Sequence, residues 1–122
     1  MFISKPCIGR CGVGIKLIKN IKTYVSGYQE NQLTLVQKYI ENPVLIDGYK
    51  FDIRLYVLVY SIDPLIIYLY DDGLIRFATQ QYSHGNGDIG NQFVHLTNYT
   101  LNKNSPDFIQ NLDSEKDYEG SK

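Results

Sequence analysis

Several common features are scarce in this 122-residue sequence, and each shortage excludes a class of protein. Alanine occurs once, at Ala78, whereas isoleucine occurs 14 times, valine 7 times and tyrosine 11 times. Because the best helix former is nearly absent and strand-favouring residues are abundant, an all-helical bundle is excluded. The net charge is only −1, so the basic surface of a nucleic-acid-binding domain is missing, and a hydrophobic content of 43% argues against disorder.

Metal-binding and membrane signals are also weak. The two cysteines, Cys7 and Cys11, lie far in sequence from His84 and His95, whereas structural zinc sites use four ligands in spaced pairs. We therefore expect reduced thiols rather than a zinc site or a disulfide. The most apolar stretch, residues 53–70, is interrupted by charged residues and a proline, whereas a spanning helix needs about 20 nearly uncharged residues. We expect a soluble chain with neither nucleic acid nor membrane as a partner.

The apolar pattern predicts short strands separated by polar connections. The clearest strand covers residues 50–60, where apolar and polar residues alternate. Two further strands, residues 65–70 and 74–78, flank Asp71, Asp72 and Gly73, which predict a hairpin turn because Asp-Gly readily supplies positive φ. Together these segments predict a three-stranded antiparallel meander. Weaker patterns predict strands over residues 1–4, 15–21 and 33–40, and connections over residues 23–32 and 80–92.

Two groups of residues are compatible with phosphate chemistry. Lys5 precedes the glycines of residues 9–14, and a loop with exposed N–H groups beside a lysine can cradle a phosphate. An exposed lysine beside an ordinary turn explains the same residues. Lys50, Asp52 and Arg54 share one face of the predicted strand, since side chains alternate along it. Charges there cost desolvation energy unless the face meets a charged ligand or water, so a solvated face with salt bridges remains an alternative.

Four ordered blocks together resemble the tubulin–tyrosine ligase-like family, which has the ATP-grasp fold. The blocks are KPCIGRCGVGI (5–15), LVQKYIENPVLIDGYKFDIRLYVLV (35–59), DPLIIYLYDDGLIRFATQQYS (63–83) and HLTNYTLNKN (95–104). The resemblance implies an α+β, partial ATP-grasp fold that is mostly antiparallel β-sheet with few short helices. It also implies that residues 1–43 end the central domain and that residues 44–112 begin the C-terminal domain. The polar, acidic composition of residues 113–122 predicts a disordered tail.

The resemblance implies roles for individual residues. Lys5, Gly12 and Gly14 correspond to the lysine and glycine loop near the ATP phosphates. The hinge that binds adenine corresponds to Gln37, Lys38 and Ile40. The K-F-D-x-R strand corresponds to Lys50, Asp52 and Arg54, which are the expected catalytic residues; Lys50 and Asp52 also face the nucleotide. The expected contacts to the amino-acid substrate are Arg54, Arg76, Thr97 and Asn98.

The implied activity is an ATP-dependent ligase that adds glutamate to glutamate side chains on tubulin tails. In this chemistry ATP phosphorylates the acceptor carboxylate, and an amino group then attacks the acyl-phosphate. The expected cofactors are ATP and magnesium, and the expected partners are free glutamate and tubulin or microtubules, in the cytoplasm, the cytoskeleton and the cilium or basal body. Glycylase activity, tyrosine ligase activity and a non-catalytic tubulin-binding remnant remain alternatives, as does an unrelated β-rich interaction domain.

The sequence departs from the family pattern at two points. Cys11 stands where the family commonly has an arginine directly before its first motif glycine. The family's magnesium ligands include an E-x-N motif, which this chain lacks. We therefore expect a fragment without its magnesium ligands, unable to turn over ATP by itself.

Overall fold

The computed structural model describes residues 1–26, 33–83 and 87–110, which form mostly antiparallel β-sheet with a few short helices. The first sheet has the order β2–β1–β3, and the second has the order β4–β5–β6. The strands are β1 (Phe2–Pro6), β2 (Lys16–Ile18), β3 (Thr34–Lys38), β4 (Leu45–Ile46), β5 (Tyr49–Ile62) and β6 (Leu65–Phe77). The helices are α1 (Ile21–Ser26), α2 (Gln92–His95) and α3 (Tyr99–Asn102), and none is long and apolar enough to span a membrane.

The first sheet confirms the three weaker strand predictions, with different bounds. The strands predicted over residues 1–4, 15–21 and 33–40 are β1, β2 and β3, and β1 pairs with both of the others. Helix α1 begins inside the second of these predicted segments and runs into the predicted connection. Its start is capped by Asn20, whose side-chain oxygen accepts from the backbone N–H of Lys22 at 2.9 Å. Residues 27–32 of that connection lie outside the described residues.

The second sheet is dominated by a long hairpin, and one turn prediction is wrong. Strands β5 and β6 pair continuously around a turn at Asp63 and Pro64, so the predicted meander is a hairpin of two long strands. Gly73 lies inside β6, opposite Leu55, where the register begins to shift. A Cβ at Gly73 would lie 2.6 Å from the Arg54 carbonyl oxygen. The glycine therefore permits close approach of the two backbones beside a bulge, rather than a turn.

The Asp-Gly turn of this sheet is located elsewhere in the chain. Asp47 and Gly48 connect β4 to β5 with φ angles of 51° and 82°. Two consecutive positive φ angles are the signature of a type I′ turn, which fits the twist of a two-residue hairpin. The sequence analysis assigned no turn at this position.

The buried core lies where α2 and α3 pack against the base of the hairpin. Its polar centre is Asn102, whose Oδ1 accepts from Thr79 N at 3.1 Å and from Thr79 Oγ1 at 3.0 Å. The Asn102 amide donates to Leu96 O at 2.7 Å and to Asn98 O at 3.1 Å. The buried side chains of the described residues are Ser4, Tyr39, Ala78, Thr79, Tyr82, Val94, His95, Leu96, Asn102 and Ser105.

The outer part of the hairpin is apolar and exposed. Val57, Leu58 and Tyr60 on β5 and Leu69 and Tyr70 on β6 are each more than half exposed. The base of the hairpin is thus packed, whereas its outer faces have no covering element among the described residues. Residues 84–86 of the predicted loop and the whole predicted tail, residues 113–122, lie outside the part of the chain that the structure describes.

Candidate functional site

A charged pair occupies the base of the hairpin. Asp52 on β5 lies directly across from Arg76 on β6. Arg76 Nε donates to both carboxylate oxygens at 3.0 and 3.1 Å, and Arg76 Nη2 also donates to the Asp52 carboxylate. Burial raises the pKa of Asp52, but hydrogen bonds from Arg76 and Thr97, together with the charges of Arg76 and Arg54, outweigh burial and lower it. The carboxylate is therefore ionised and held in one orientation.

Lys50 lies two residues before Asp52 in β5, on the same face of the strand. Lys50 Nζ donates to Tyr39 Oη at 3.1 Å and to His95 O at 2.8 Å, and it lies 4.9 Å from the centre of the Tyr39 ring. Burial lowers the pKa of Lys50, the charge of Asp52 opposes this, and the charge of Lys5 lowers the pKa further. Lys5 belongs to the first sheet, so a positive charge from that sheet acts on Lys50 of the second.

The glycine loop between β1 and β2 contacts the segment that precedes α3. Cys11, Gly12 and Gly14 have φ angles of 61°, 84° and 78°. A Cβ at Gly12 would lie 2.8 Å from Asn98 Oδ1, so a side chain there would collide with Asn98. Glycine is thus required at this position both for its backbone conformation and for the close contact. The loop and the T-N pair, which are distant in sequence, lie side by side.

The structure brings together most, but not all, of the residues that the sequence predicts for the site. Lys5 donates to Gln37 at 2.7 Å, Gly12 contacts Asn98, and Lys50, Asp52, Arg76 and Thr97 form a connected charged cluster. Arg54 is exposed, opposite Leu74, yet its charge acts on Asp52. No described contact joins the remaining predicted residues to the cluster, namely Gly14, Lys38 and Ile40.

Two aromatic residues of this region have no role predicted from the sequence. Tyr39 and Tyr82 are buried, and the ring of each makes an edge-on contact with the His95 ring. Tyr82 Oη donates to Glu41 O at 2.7 Å. Tyr39 stands between two residues that the resemblance assigned to the hinge, but neither charge nor spacing distinguishes it from the other tyrosines.

A separate cavity of about 200 Å³ lies beside the cluster. Its walls are residues 15–17 on one side and residues 89–92 on the other, with His95 and Leu96 between them. Lys50 and Asp52 do not line it, so the cavity and the charged cluster are distinct features of the described region.

The residues that are present fit a polyphosphate better than a divalent cation. Within residues 1–26, 33–83 and 87–110, no group of three or more His, Cys, Asp or Glu side chains is placed to hold a metal ion. The carboxylate of the cluster, Asp52, already accepts from Arg76. Lysines and a glycine loop with positive φ are the groups that hold phosphate oxygens. The described residues of this region therefore fit phosphate oxygens rather than a magnesium ion.

Comparison with known proteins identifies the family. A family profile described as "Tubulin-tyrosine ligase family" matches residues 1–121. The chain belongs to the tubulin-tyrosine ligase family. This membership confirms the resemblance and the expected fold, since two antiparallel sheets with a few short helices are what part of an α+β ATP-grasp domain contains.

The relatives in the tubulin-tyrosine ligase family include several with glutamylase names. The chain is 50% identical over 121 residues to a mouse protein named tubulin polyglutamylase TTLL5, covering 99% of this chain and 9% of that relative. It is 45% identical over 112 residues to the human tubulin monoglutamylase TTLL4, covering 92% of this chain and 9% of the relative. It is 46% identical over 110 residues to the mouse tubulin polyglutamylase TTLL6, covering 89% and 13%. The chain thus spans only a small part of these relatives' length.

Proposed function

We propose that the chain supplies part of the nucleotide and amino-acid cleft of an ATP-dependent ligase that adds glutamate to glutamate side chains on tubulin tails. Two observations carry this proposal: the glycine loop that follows Lys5 lies against Asn98, and the charge of Lys5 acts on Lys50. Partial burial and the charge of Lys5 both disfavour the charged form of Lys50 in the absence of an anion. A bound triphosphate would offset that cost, and the glycine loop lies on the same side, against Asn98.

The proposed roles of the residues follow from the contacts that each one makes. Lys5 and Lys50 bind phosphate oxygens, and Asp52 orients Arg76 through its two oxygens. Arg76 Nη1 makes no hydrogen bond to another described residue, so it is the group that reaches the carboxylate of the incoming glutamate. Exposed Arg54 offers a second guanidinium for that carboxylate or for the acyl-phosphate.

The boundary between the two sheets supports the proposed division of the chain. The first sheet ends at Lys38 with β3, and the second begins at Leu45 with β4. We propose that residues 1–43 end the central ATP-grasp domain and that residues 44–112 begin the C-terminal one. The hinge residues Gln37, Lys38 and Ile40 then lie at the junction, where an adenine ring would be bound.

ATP binding by the purified chain tests the nucleotide part of this proposal. We expect Lys50→Met to weaken ATP binding by roughly tenfold or more, because a hydrogen bond to a charged group contributes about 1.5–3 kcal/mol. The matched control is Lys19→Met, an exposed lysine beyond the end of β2, which should leave the affinity unchanged. Equal affinity of both variants, measured by calorimetric titration, would contradict the role given to Lys50.

A chimera tests the ligase part. The segment of mouse TTLL5 that matches this chain would be replaced by residues 1–121, and incorporation of labelled glutamate, glycine or tyrosine into tubulin would be compared. We expect glutamate incorporation, its loss in Arg76→Ala, and retained ATP binding in that variant. Incorporation of glycine or tyrosine instead would identify one of the other family activities. Loss of ATP binding together with ligation would count against a substrate role for Arg76.

A further inference from the structure

Lys50 is held by a buried hydrogen-bonded pair, Tyr39 and His95, to which the family resemblance assigns no role. Tyr39 is 6% exposed and follows β3, and His95 is 1% exposed and ends α2. Tyr39 Oη lies 3.1 Å from His95 Nδ1 and 3.1 Å from Lys50 Nζ. The backbone oxygen of His95 accepts from the same ammonium group at 2.8 Å. Tyr39 and His95 thus provide two hydrogen-bond acceptors for one lysine.

The Lys50 ammonium group fixes the direction of one hydrogen bond: it can only donate, so Tyr39 Oη accepts from it. Tyr39 Oη and His95 Nδ1 share a second hydrogen bond, in which the histidine tautomer decides which group donates, and the Tyr39 hydroxyl also interacts with Tyr82. Burial lowers the pKa of His95, and the charge of Lys50 lowers it further, while Asp88 opposes both. His95 is therefore neutral at pH 7, and its Nδ1 hydrogen-bonds with the Tyr39 hydroxyl in either tautomer.

We propose that Tyr39 and His95 are positioning residues that hold the Lys50 ammonium group where it binds its anionic ligand. His95 orients the Tyr39 hydroxyl through Nδ1, and the oriented hydroxyl, together with the His95 carbonyl, fixes Lys50 Nζ. That the ligand is an ATP phosphate rests on the proposed function. The placement of Lys50 by Tyr39 and His95 does not depend on it, and the two can be tested apart.

The first test needs no nucleotide. An amine-reactive acylating reagent is applied to the purified chain, and the labelling rate of each lysine is measured by mass spectrometry. In Tyr39→Phe the ring and its packing remain but the acceptor is lost, so Lys50 is less restrained and loses its proton more readily. We expect Lys50 to be labelled about tenfold faster, as for the loss of one hydrogen bond to a charged group. Tyr70→Phe, which removes an exposed hydroxyl, is the matched control and should have no effect.

Substitutions of His95 separate positioning from packing. In His95→Asn the side-chain oxygen occupies nearly the place of Nδ1 and can accept from the Tyr39 hydroxyl, so we expect labelling of Lys50 close to that of the wild type. In His95→Phe this acceptor is lost, and labelling should rise as in Tyr39→Phe. Circular dichroism establishes that each variant is folded. Unchanged Lys50 labelling in folded Tyr39→Phe would overturn the inference, as would equal labelling in the two His95 variants.

A double-mutant cycle tests whether the positioning serves ATP binding. We expect Tyr39→Phe to weaken ATP binding about tenfold in the wild-type background and to have no further effect in Lys50→Met. An equal loss in both backgrounds would show that Tyr39 acts only on the fold, and the positioning inference would fail while ATP binding stood. If the wild-type chain does not bind ATP, the proposed nucleotide site fails, and the labelling rates alone decide the positioning inference.

Discussion

The Asp52–Arg76 pair gives the most direct quantitative test of the charged cluster. The perturbation is a double-mutant cycle with Asp52→Asn, Arg76→Gln and the combined variant. Each substitution keeps the approximate size of the side chain and removes its charge. Because the two residues face each other across β5 and β6, the coupling energy reports their contact rather than a change elsewhere in the hairpin.

The expected coupling energy follows from the geometry of the Asp52–Arg76 contact and from the exposure of the two side chains. Fully buried hydrogen bonds to charged groups contribute about 1.5–3 kcal/mol, whereas exposed ion pairs contribute roughly 0.2–1 kcal/mol. Arg76 and Asp52 make a forked contact, but their side chains are 33% and 34% exposed, so water screens the attraction. We therefore expect a coupling energy of about 1 kcal/mol in the free energy of unfolding.

Denaturant unfolding at pH 7 measures this coupling. A parallel cycle with Asp71→Asn and Arg76→Gln is the control, because Asp71 lies exposed further out on β6, and we expect its coupling to be near zero. The pKa of Asp52 is lowered from 3.8, so its stabilisation is present above that value and is lost as the pH falls through the lower folded-state value. Coupling below about 0.3 kcal/mol at pH 7 would refute the reasoning, because that is the usual error of additivity.

Three further predictions concern the fold around the cluster. Gly73→Ala should destabilise the chain by about 1–3 kcal/mol, because the added Cβ would lie 2.6 Å from a backbone oxygen of the facing strand. Gly90→Ala is the control and should be near neutral, because its Cβ would have no atom within 4 Å. Thermal unfolding of the two variants measures the difference. Asn102→Ala should lower the free energy of unfolding by roughly 2–3 kcal/mol, because it leaves buried donors and acceptors unpaired. Asn104→Ala, at an exposed position, should lower it by less than about 0.5 kcal/mol, and denaturant unfolding measures both. Because the pKa of His95 is lowered from 6.5, stability should fall as the pH drops below about 6.5, and this slope should be absent in His95→Asn.

The two Asp-Gly pairs illustrate why only part of the fold follows from local sequence. Both carry the same turn signal, yet only Asp47 and Gly48 form a turn. At Asp72 and Gly73 the strand continues, since β6 can pair with β5 along its whole length once the turn at Asp63 is made. Alternating residues predicted β5 correctly because that pattern is local. Which Asp-Gly pair forms a turn depends on the strand register that buries the base of the hairpin. A short stretch of sequence does not contain that information.

Only some residues of the candidate site, like only part of the fold, can be found from the local sequence. Charge and glycine content marked Lys5, Gly12, Lys50 and Asp52 in the sequence, since charges on a strand need a partner. Tyr39 carries no such mark, because its importance comes from a lysine eleven positions later and a histidine on another element. Its burial and its partners exist only after the two sheets meet. Sequence reasoning could therefore find the charged groups but not the uncharged ones that hold them.

The position of the charged cluster also determines what maintains its geometry. The outer hairpin has no apolar covering among the described residues, whereas its base combines a small apolar core with polar contacts around buried Asn102 and part-buried Lys50. Hydrogen bonds are directional, and a network of them fixes positions more narrowly than apolar packing does. The same network is costly when one member is removed, since its partners stay buried and unpaired. We therefore expect substitutions at Tyr39, Lys50 and Asn102 to affect stability and ligand binding together, and double-mutant cycles to separate the two effects in ATP binding.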